Sequence, residues 1–300
     1  MKIGFVGLGA MGAPMTAKLS AAFPGAVRCF DADPARLAAV ADESGAQAAG
    51  SVAELARAVD LVFTCLPNDT VLRAVYLGPG GLADQMMSHA ISVDCSTVSP
   101  AVTQEVALAV SDFAHAHLDA AMLGSVKQAN EGTISFVVGG DAQALETARP
   151  ALAACGGLIR HCGPSGAGQR MKLVHQTLVA GHAVAVAEAL GLCLETGIDI
   201  EAFYEIVTQG TGFAYSRYFE NRVPRMRQGE FAPLFALDFM LKDARLARDM
   251  AGPAADAFPA LAAVIDTLEA AQSDGHGAAD FSAAMKAVEA RLGKTVDGRG

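Results

Sequence analysis

The sequence predicts an α/β protein: a doubly wound, mostly parallel sheet, then an all-α C-terminal domain, the two joined by a long interdomain helix. Three observations predict it. Up to about residue 162, short apolar runs alternate with helix-like segments, the pattern of a parallel sheet covered by helices. The first apolar run leads at once into a glycine-rich turn and a helical segment. Past Cys162 the strand pattern stops, and a long helical pattern begins near Gln169.

The strand candidates, in order, are residues 2–7, 27–31, 60–66, 90–94, 117–119 and 134–139. The continuous run Leu61-Val62-Phe63-Thr64-Cys65-Leu66 fits a strand buried on both faces. Between the strands, alanine-rich stretches such as 34–42 and 100–115 carry helical periodicity. Gly163-Pro164-Ser165-Gly166-Ala167-Gly168 then punctuates the chain. It sets the expected boundary, with one domain over 1–163 and the other over 164–300. The long helix is expected from about 169 to 196. Further helices follow, parted at Gly197-Ile198-Asp199, Gly210-Thr211-Gly212 and Gly275-His276-Gly277. The last residues, 293–300, read as frayed.

Three hundred residues, 52% of them hydrophobic, suffice for two cores. Only 18% are charged, which is not a disordered composition. With 22 basic and 32 acidic residues the net charge is −10, which argues against nucleic acid as a partner. The longest apolar stretch, 178–194, contains His182 and Glu188, which suits a buried helix of a soluble protein and not a membrane span. The N-terminal run lacks the basic and long apolar regions of a secretory signal. The six cysteines include no CxxC pair, so reduced thiols in the cytoplasm are expected, with no disulfide framework and no metal site.

Gly7-Leu8-Gly9-Ala10-Met11-Gly12 is a GxGxxG turn placed between a strand and a helix, the context in which it grips a dinucleotide. The first glycine permits the tight turn, the second lets the backbone approach the pyrophosphate, and the third allows close helix–strand packing. The helix start then offers N–H groups and partial positive charge to the phosphates. Asp31 ends the second strand candidate, 19 residues after Gly12. A carboxylate there accepts hydrogen bonds from the adenosine ribose and repels a 2′-phosphate. With Asp33 adding charge and no Arg directly after Asp31, the expected cofactor is NAD and not NADP. The N-terminal domain is thus of the Rossmann type.

Beyond this turn, the chain resembles the 3-hydroxyisobutyrate dehydrogenase family, the β-hydroxyacid dehydrogenases, nearly end to end. The opening extends to Gly7-Leu8-Gly9-Ala10-Met11-Gly12-Ala13-Pro14-Met15. Leu66-Pro67-Asn68 is similar to the family's leucine-proline turn beside the cofactor. Asp94-Cys95-Ser96-Thr97-Val98-Ser99-Pro100 resembles its D-x-S-T-x-x-P segment, which implies that Thr97 bonds the nicotinamide half. Gly166-Ala167-Gly168-Gln169-Arg170-Met171-Lys172 matches G-x-G-x-x-x-K. Leu241-Lys242-Asp243 matches a later lysine–aspartate pair, which implies that Lys242 closes over the nicotinamide. Gly275-His276-Gly277 with Asp280-Phe281-Ser282-Ala283 matches the C-terminal segment. A 6-phosphogluconate dehydrogenase has a much longer helical domain.

Two departures stand out. The substrate loop that usually reads D-x-P-V-S-G-G is Asp119-Ala120-Ala121-Met122-Leu123-Gly124-Ser125, with Gly132-Thr133 intact. The resemblance implies that Gly124 and Ser125 hold the substrate acid group through N–H groups and the Ser125 hydroxyl. Leu123 makes the pocket bulkier and less polar. The asparagine pair that usually follows the lysine is His175-Gln176.

Oxidising an alcohol by hydride transfer needs a group to take the hydroxyl proton, and a desolvated lysine serves. Lys172, near the start of an apolar helix, is the candidate. His175 and Gln176 follow at i+3 and i+4 on the same face and are candidate substrate contacts, with His175 a rival base. His182 is expected to be a core histidine. Phe213, Tyr215, Tyr218 and Phe219 are expected in the core or a subunit interface, and Phe231, Phe235 and Phe239 could line the pocket mouth.

The expectation is an NAD-dependent oxidoreductase that reversibly oxidises a small 3-hydroxy acid to its semialdehyde or keto acid, as a homodimer or homotetramer. Two alternatives stand beside it. One keeps the fold and takes a larger or less polar acid, a sulfonated aldehyde or an imine. The other is a non-catalytic NAD-binding protein.

Overall fold

A computed structural model describes residues 1–113 and 115–297. The chain divides into two compact units, Met1–Lys172 and Leu173–Gly300.

The first unit is built on eight strands: β1 (Ile3–Val6), β2 (Val27–Phe30), β3 (Gln47–Ala48), β4 (Leu61–Thr64), β5 (Ile91–Asp94), β6 (Ala116–Leu123), β7 (Ile134–Gly139) and β8 (Gly156–Gly163). They form one sheet in the order β3-β2-β1-β4-β5-β6-β7-β8. β1 to β6 run parallel, β7 is antiparallel to β6, and β8 is parallel to β7. The winding reverses between β1 and β4, the switch point of a doubly wound sheet, where nucleotides bind outside the carboxyl ends of the strands.

Helices cover both faces: α1 (Gly12–Ala22), α2 (Pro34–Ser44), α3 (Val52–Ala56), α4 (Asp69–Leu77), α5 (Leu82–Gln85), α6 (Pro100–Ser111), α7 (Val126–Glu131) and α8 (Ala142–Cys155). One apolar layer joins Ile3 and Phe5 of β1 to Met15 and Leu19 of α1 and Leu145 and Leu152 of α8. The other joins Val6 and Val62 to Leu72 and Tyr76 of α4 and Val102 and Val106 of α6. Because β1 alternates its side chains between these layers, the turn after it emerges between them.

The expected strands are all present, with three differences. β3 has only two residues, too few to carry a pattern. β8 lies at the sheet edge, and most of its residues are exposed or half-buried, so Gly156-Gly157-Leu158-Ile159-Arg160-His161 shows no alternation. β6 runs four residues past the expected end, to Leu123; its buried Ala120 and Ala121 read equally well as helix. α6 stops at Ser111, and Ala114 of the expected stretch lies outside the described residues, as do 298–300 of the expected frayed tail.

The second unit continues α9 (Ala167–Thr196) and adds α10 (Ile200–Gln209), α11 (Arg217–Arg227), α12 (Leu237–Ala251), α13 (Pro259–Ala271) and α14 (Ala284–Leu292). Among its described residues the only β pairing is an isolated bridge between Ala236 and Asp280. Asp280, fully buried, accepts from the Arg222 Nε–H at 2.9 Å and from the Leu234 and Phe235 N–H groups. A buried carboxylate needs such compensation. By length and composition alone, α9 could cross a bilayer, and 44% of its most apolar window is buried within the protein. His182 is exposed on α9, which corrects its expected place in the core: Ala180, Ala183 and Ala187 form the buried face, and His182 lies on the opposite side with the exposed Ala185.

Candidate active site

The glycine turn has the shape a dinucleotide requires. Gly7 has φ +94°, and a Cβ there would collide with the Cys65 carbonyl oxygen. A Cβ on Gly12 would collide with the Gly7 carbonyl oxygen. Gly9 differs, because nothing lies within 4 Å of where its Cβ would be. Two glycines thus permit close backbone packing and the middle one faces open space, the division of roles that pyrophosphate binding needs. No side chain caps the start of α1, whereas Asp33, Asn68 and Ser99 cap α2, α4 and α6. The α1 N-terminus keeps its partial positive charge for a phosphate. Leu8 is buried, Ala10 exposed and Met11 half-buried. These residues fit NAD.

Asp31, just past β2, is tied to this turn: its Oδ2 accepts from the Leu8 N–H at 2.7 Å, and its Oδ1 from the Asp33 N–H at 2.9 Å. Arg36 stands 3.5 Å from Asp31 Oδ1 and 3.5 Å from Asp33 Oδ2. No arginine directly follows Asp31 in the sequence, and the first turn of α2 brings Arg36 back to it.

Leu66 and Ser96, the residue before Thr97, are held by one network. The Leu66 N–H donates to Ser96 Oγ at 2.8 Å, and the Ser96 hydroxyl donates to Asp94 Oδ1 at 2.6 Å. Thr64 Oγ1 donates to the same carboxyl oxygen at 2.7 Å. Burial pushes the Asp94 carboxyl up to about 6, against the pull of the Ser96 and Thr64 hydrogen bonds. Pro67 is exposed. Cys95, Ser96 and Val98 are buried while Thr97 between them is half-exposed, so the segment turns one polar side chain outward.

The start of α9 is fixed by Asp119 on β6. Its carboxylate accepts from the Gly166 N–H at 2.8 Å and the Gln169 N–H at 2.9 Å, satisfying donors that a helix start leaves open. Burial raises the Asp119 pKa, and these backbone hydrogen bonds oppose that. Gly166 has φ +83°, and Gly168 packs against the carbonyl oxygens of Asp119 and Val137. That is the physical content of G-x-G at this place: one glycine for the conformation, one for the contact. Lys172 follows one turn later and is 7% exposed, so it is not a solvated surface lysine.

In the substrate loop, Leu123 ends β6 opposite Ser135. Gly124 is exposed with φ +151°. Ser125 precedes α7, and its N–H and hydroxyl both donate to Gln128 Oε1, at 2.9 and 2.6 Å. Both Ser125 donors are thus engaged within the loop.

In the second unit, Gln176 is buried and its Nε2 donates to Asp243 Oδ2 at 2.7 Å. Gln176 Oε1 lies 3.4 Å from His175 Nδ1. Lys242 Nζ lies 3.2 Å from Asp243 Oδ1. Asp243, 1% exposed, therefore gathers two candidate residues that the sequence places 66 positions apart. Phe219 is buried, whereas Phe213 is fully exposed. Among the described residues no group of three or more His, Cys, Asp or Glu side chains is placed to hold a metal ion.

Sheet order, glycine turn and acidic strand end define an NAD-binding protein of the Rossmann type. Residues 2–163 match the NAD-binding domain of 6-phosphogluconate dehydrogenase, and 166–288 match the NAD-binding domain of NADP-dependent 3-hydroxyisobutyrate dehydrogenase. The chain is 34% identical over 299 residues to 2-(hydroxymethyl)glutarate dehydrogenase of Eubacterium barkeri, covering 99% of this chain and 98% of that one. It is 33% identical over 291 residues to 3-hydroxyisobutyrate dehydrogenase of Pseudomonas aeruginosa, covering 95% and 97%. The Mycobacterium tuberculosis 3-hydroxyisobutyrate dehydrogenase solved with L-serine superposes with a TM-score of 0.85 at 31% identity, covering 95% and 98%. The chain belongs to the 3-hydroxyisobutyrate dehydrogenase family.

Proposed function

We propose that the protein reversibly oxidises the primary hydroxyl of a small 3-hydroxy acid to a semialdehyde, using NAD. The observation that carries this reading is the buried Lys172, one turn into a helix whose start is tied by hydrogen bonds to the segment that carries Thr97. The compounds in the relatives' names support the substrate class. 2-(Hydroxymethyl)glutarate, 3-hydroxyisobutyrate and L-serine each carry a hydroxymethyl group beside the carbon that bears a carboxylate.

Bound NAD would supply the hydride acceptor for the alcohol carbon. The chain's own residues do the rest. Gly7, Leu8, Gly9, Ala10, Met11 and Gly12 cradle the pyrophosphate, and Asp31 accepts from the adenosine ribose. Leu66, Pro67 and Thr97 would border the nicotinamide, and the resemblance assigns Lys242 to the same cofactor. Gly124 and Ser125 bind the substrate carboxylate, and Leu123 meets its apolar part. His175 and Gln176 line the substrate side. Lys172 as the neutral amine takes the hydroxyl proton while the C–H pair leaves as hydride, and the ammonium returns that proton in reduction.

A second reading keeps this chemistry and changes the acid. Leu123 ends β6 where the family usually has serine, and Gln128 engages Ser125, both of which favour a larger or less polar acid. A homodimer or homotetramer is supported by the apolar stripe Met171, Val174, Leu178 and Leu192 on the exposed face of α9 and by Phe213. None of the six cysteines forms a disulfide, which supports a reducing, cytoplasmic location.

The test is a panel of 3-hydroxy acids and semialdehydes assayed with NAD(H) and NADP(H) in parallel. Turnover of hydroxymethyl acids with NAD is expected. Turnover of larger acids alone selects the second reading, and no turnover despite NADH binding selects a non-catalytic NAD-binding protein.

A further inference from the structure

Gln169 is fully buried on the first turn of α9, and its side-chain amide is used at both ends. Nε2 donates to the Ser96 carbonyl at 2.8 Å, and Oε1 accepts from the Val98 N–H at 3.2 Å. These peptide groups flank Thr97. The Gln169 N–H donates to Asp119, so the residue is itself anchored to β6. Ser96 is held from its other side by Asp94 and Leu66.

We propose that Gln169 is a positioning residue that fixes Thr97 toward the nicotinamide half of NAD and registers it against Lys172, three residues further along α9. The proposal rests on the reading of Thr97 given above. The physical argument is one of paired hydrogen bonds. A carbonyl and an N–H two residues apart, bound by one rigid amide, hold the residue between them at fixed φ and ψ. The Cα–Cβ bond of Thr97 then has a fixed direction. The same amide leaves no buried peptide group unpaired, and an apolar residue there would leave two. Glutamine is suited because one planar group supplies donor and acceptor together. Aspartate or glutamate as an anion supplies acceptors only.

The test compares the affinities of NADH and ADP-ribose, which share the glycine turn and differ in the nicotinamide half. Wild type, Gln169→Leu and Gln169→Glu are titrated by calorimetry from pH 5 to pH 9, with thermal midpoints recorded on the same samples. Wild type is expected to prefer NADH. Gln169→Leu is expected to lose about tenfold of that preference, the scale of two net hydrogen bonds, with ADP-ribose affinity unchanged. Gln169→Glu is expected to lose it at high pH, where a carboxylate oxygen meets the Ser96 carbonyl. It regains it at low pH, where the protonated acid again donates and accepts. Asp94 of β5 binds Ser96 and Asp119 of β6 binds the Gln169 N–H; these two, Cys95 beside Ser96 and Lys172 further along α9 titrate in wild type as well, so wild type at each pH is the control. A variant that lowers the thermal midpoint and keeps the wild-type preference would overturn the proposal, as would equal loss for both ligands or Gln169→Glu behaving alike at all pH values. Because the readout is binding, the pattern stands even if no hydroxy acid is turned over, which would count only against the proposed substrate.

Discussion

Gly168 lies directly against Asp119: a Cβ at Gly168 would collide with the Asp119 carbonyl oxygen, and it would stand 2.8 Å from the Asp119 carboxylate. That same carboxylate binds the N–H groups of Gly166 and Gln169. One strand residue therefore sets both the position and the first turn of the helix that carries Lys172.

Gly168→Ala is accordingly expected to destabilise the protein by about 1–3 kcal/mol, the cost of overpacking against backbone that cannot rotate away. Gly181, on the same helix, has nothing within 4 Å of a built Cβ. Gly181→Ala is expected to stabilise by about 0.5–1 kcal/mol, because alanine restricts the unfolded chain more than glycine does. Urea denaturation of the two variants checks the pair. Equal effects would refute the contact argument.

Cofactor choice should follow Asp31 and Arg36. Removing the carboxylate in Asp31→Ser abolishes the repulsion of a 2′-phosphate and leaves Arg36, now 3.5 Å from no partner but Asp33 in this cluster, to meet it. The ratio of kcat/KM for NADP to that for NAD is expected to rise at least ~10-fold. Adding Arg36→Ala should reverse most of the gain. A double variant as permissive as the single one would show that Arg36 plays no part.

Two buried groups should give opposite pH slopes. Asp94 sits at about 6 when folded, above its ordinary 3.8. Its ionised form is disfavoured by burial, so its contribution to stability improves as pH falls from 6 to 3.8. His117 sits at about 4 when folded, below its ordinary 6.5, again through burial. The unfolded chain takes that proton first, so His117 removes stability as pH falls from 6.5 to 4. Each contributes up to ~3 kcal/mol across its window. Relative to wild type, Asp94→Asn is expected to lose stability more steeply between pH 6.5 and 4, and His117→Asn less steeply. Parallel curves for all three proteins would refute both assignments.

The sheet was legible where strands are buried on both faces and carry continuous apolar runs, as in β1, β4 and β7. It was illegible at β8, where an edge strand needs no apolar code, and over the last four residues of β6, where buried alanines carry no strand signature. Gly7, Gly9, Gly12 and Asp31 could be read because fixed spacing and simple sterics define them. Arg36, Gln128 and Asp243 could not, since their partners are met only when helices return side chains to a strand end or to one another. Gln169 and Ser96 lay inside motifs already singled out. Their roles escaped because a motif shows which residues recur and not which backbone groups they bind.

The central claim is that Lys172 moves the proton. It is tested by kcat of Lys172→Ala on the best hydroxy acid of the panel, with NADH affinity measured on the same preparation. The expected result is a fall of about 10²–10⁴-fold in kcat with NADH binding preserved. A variant that keeps most of the wild-type kcat would contradict it.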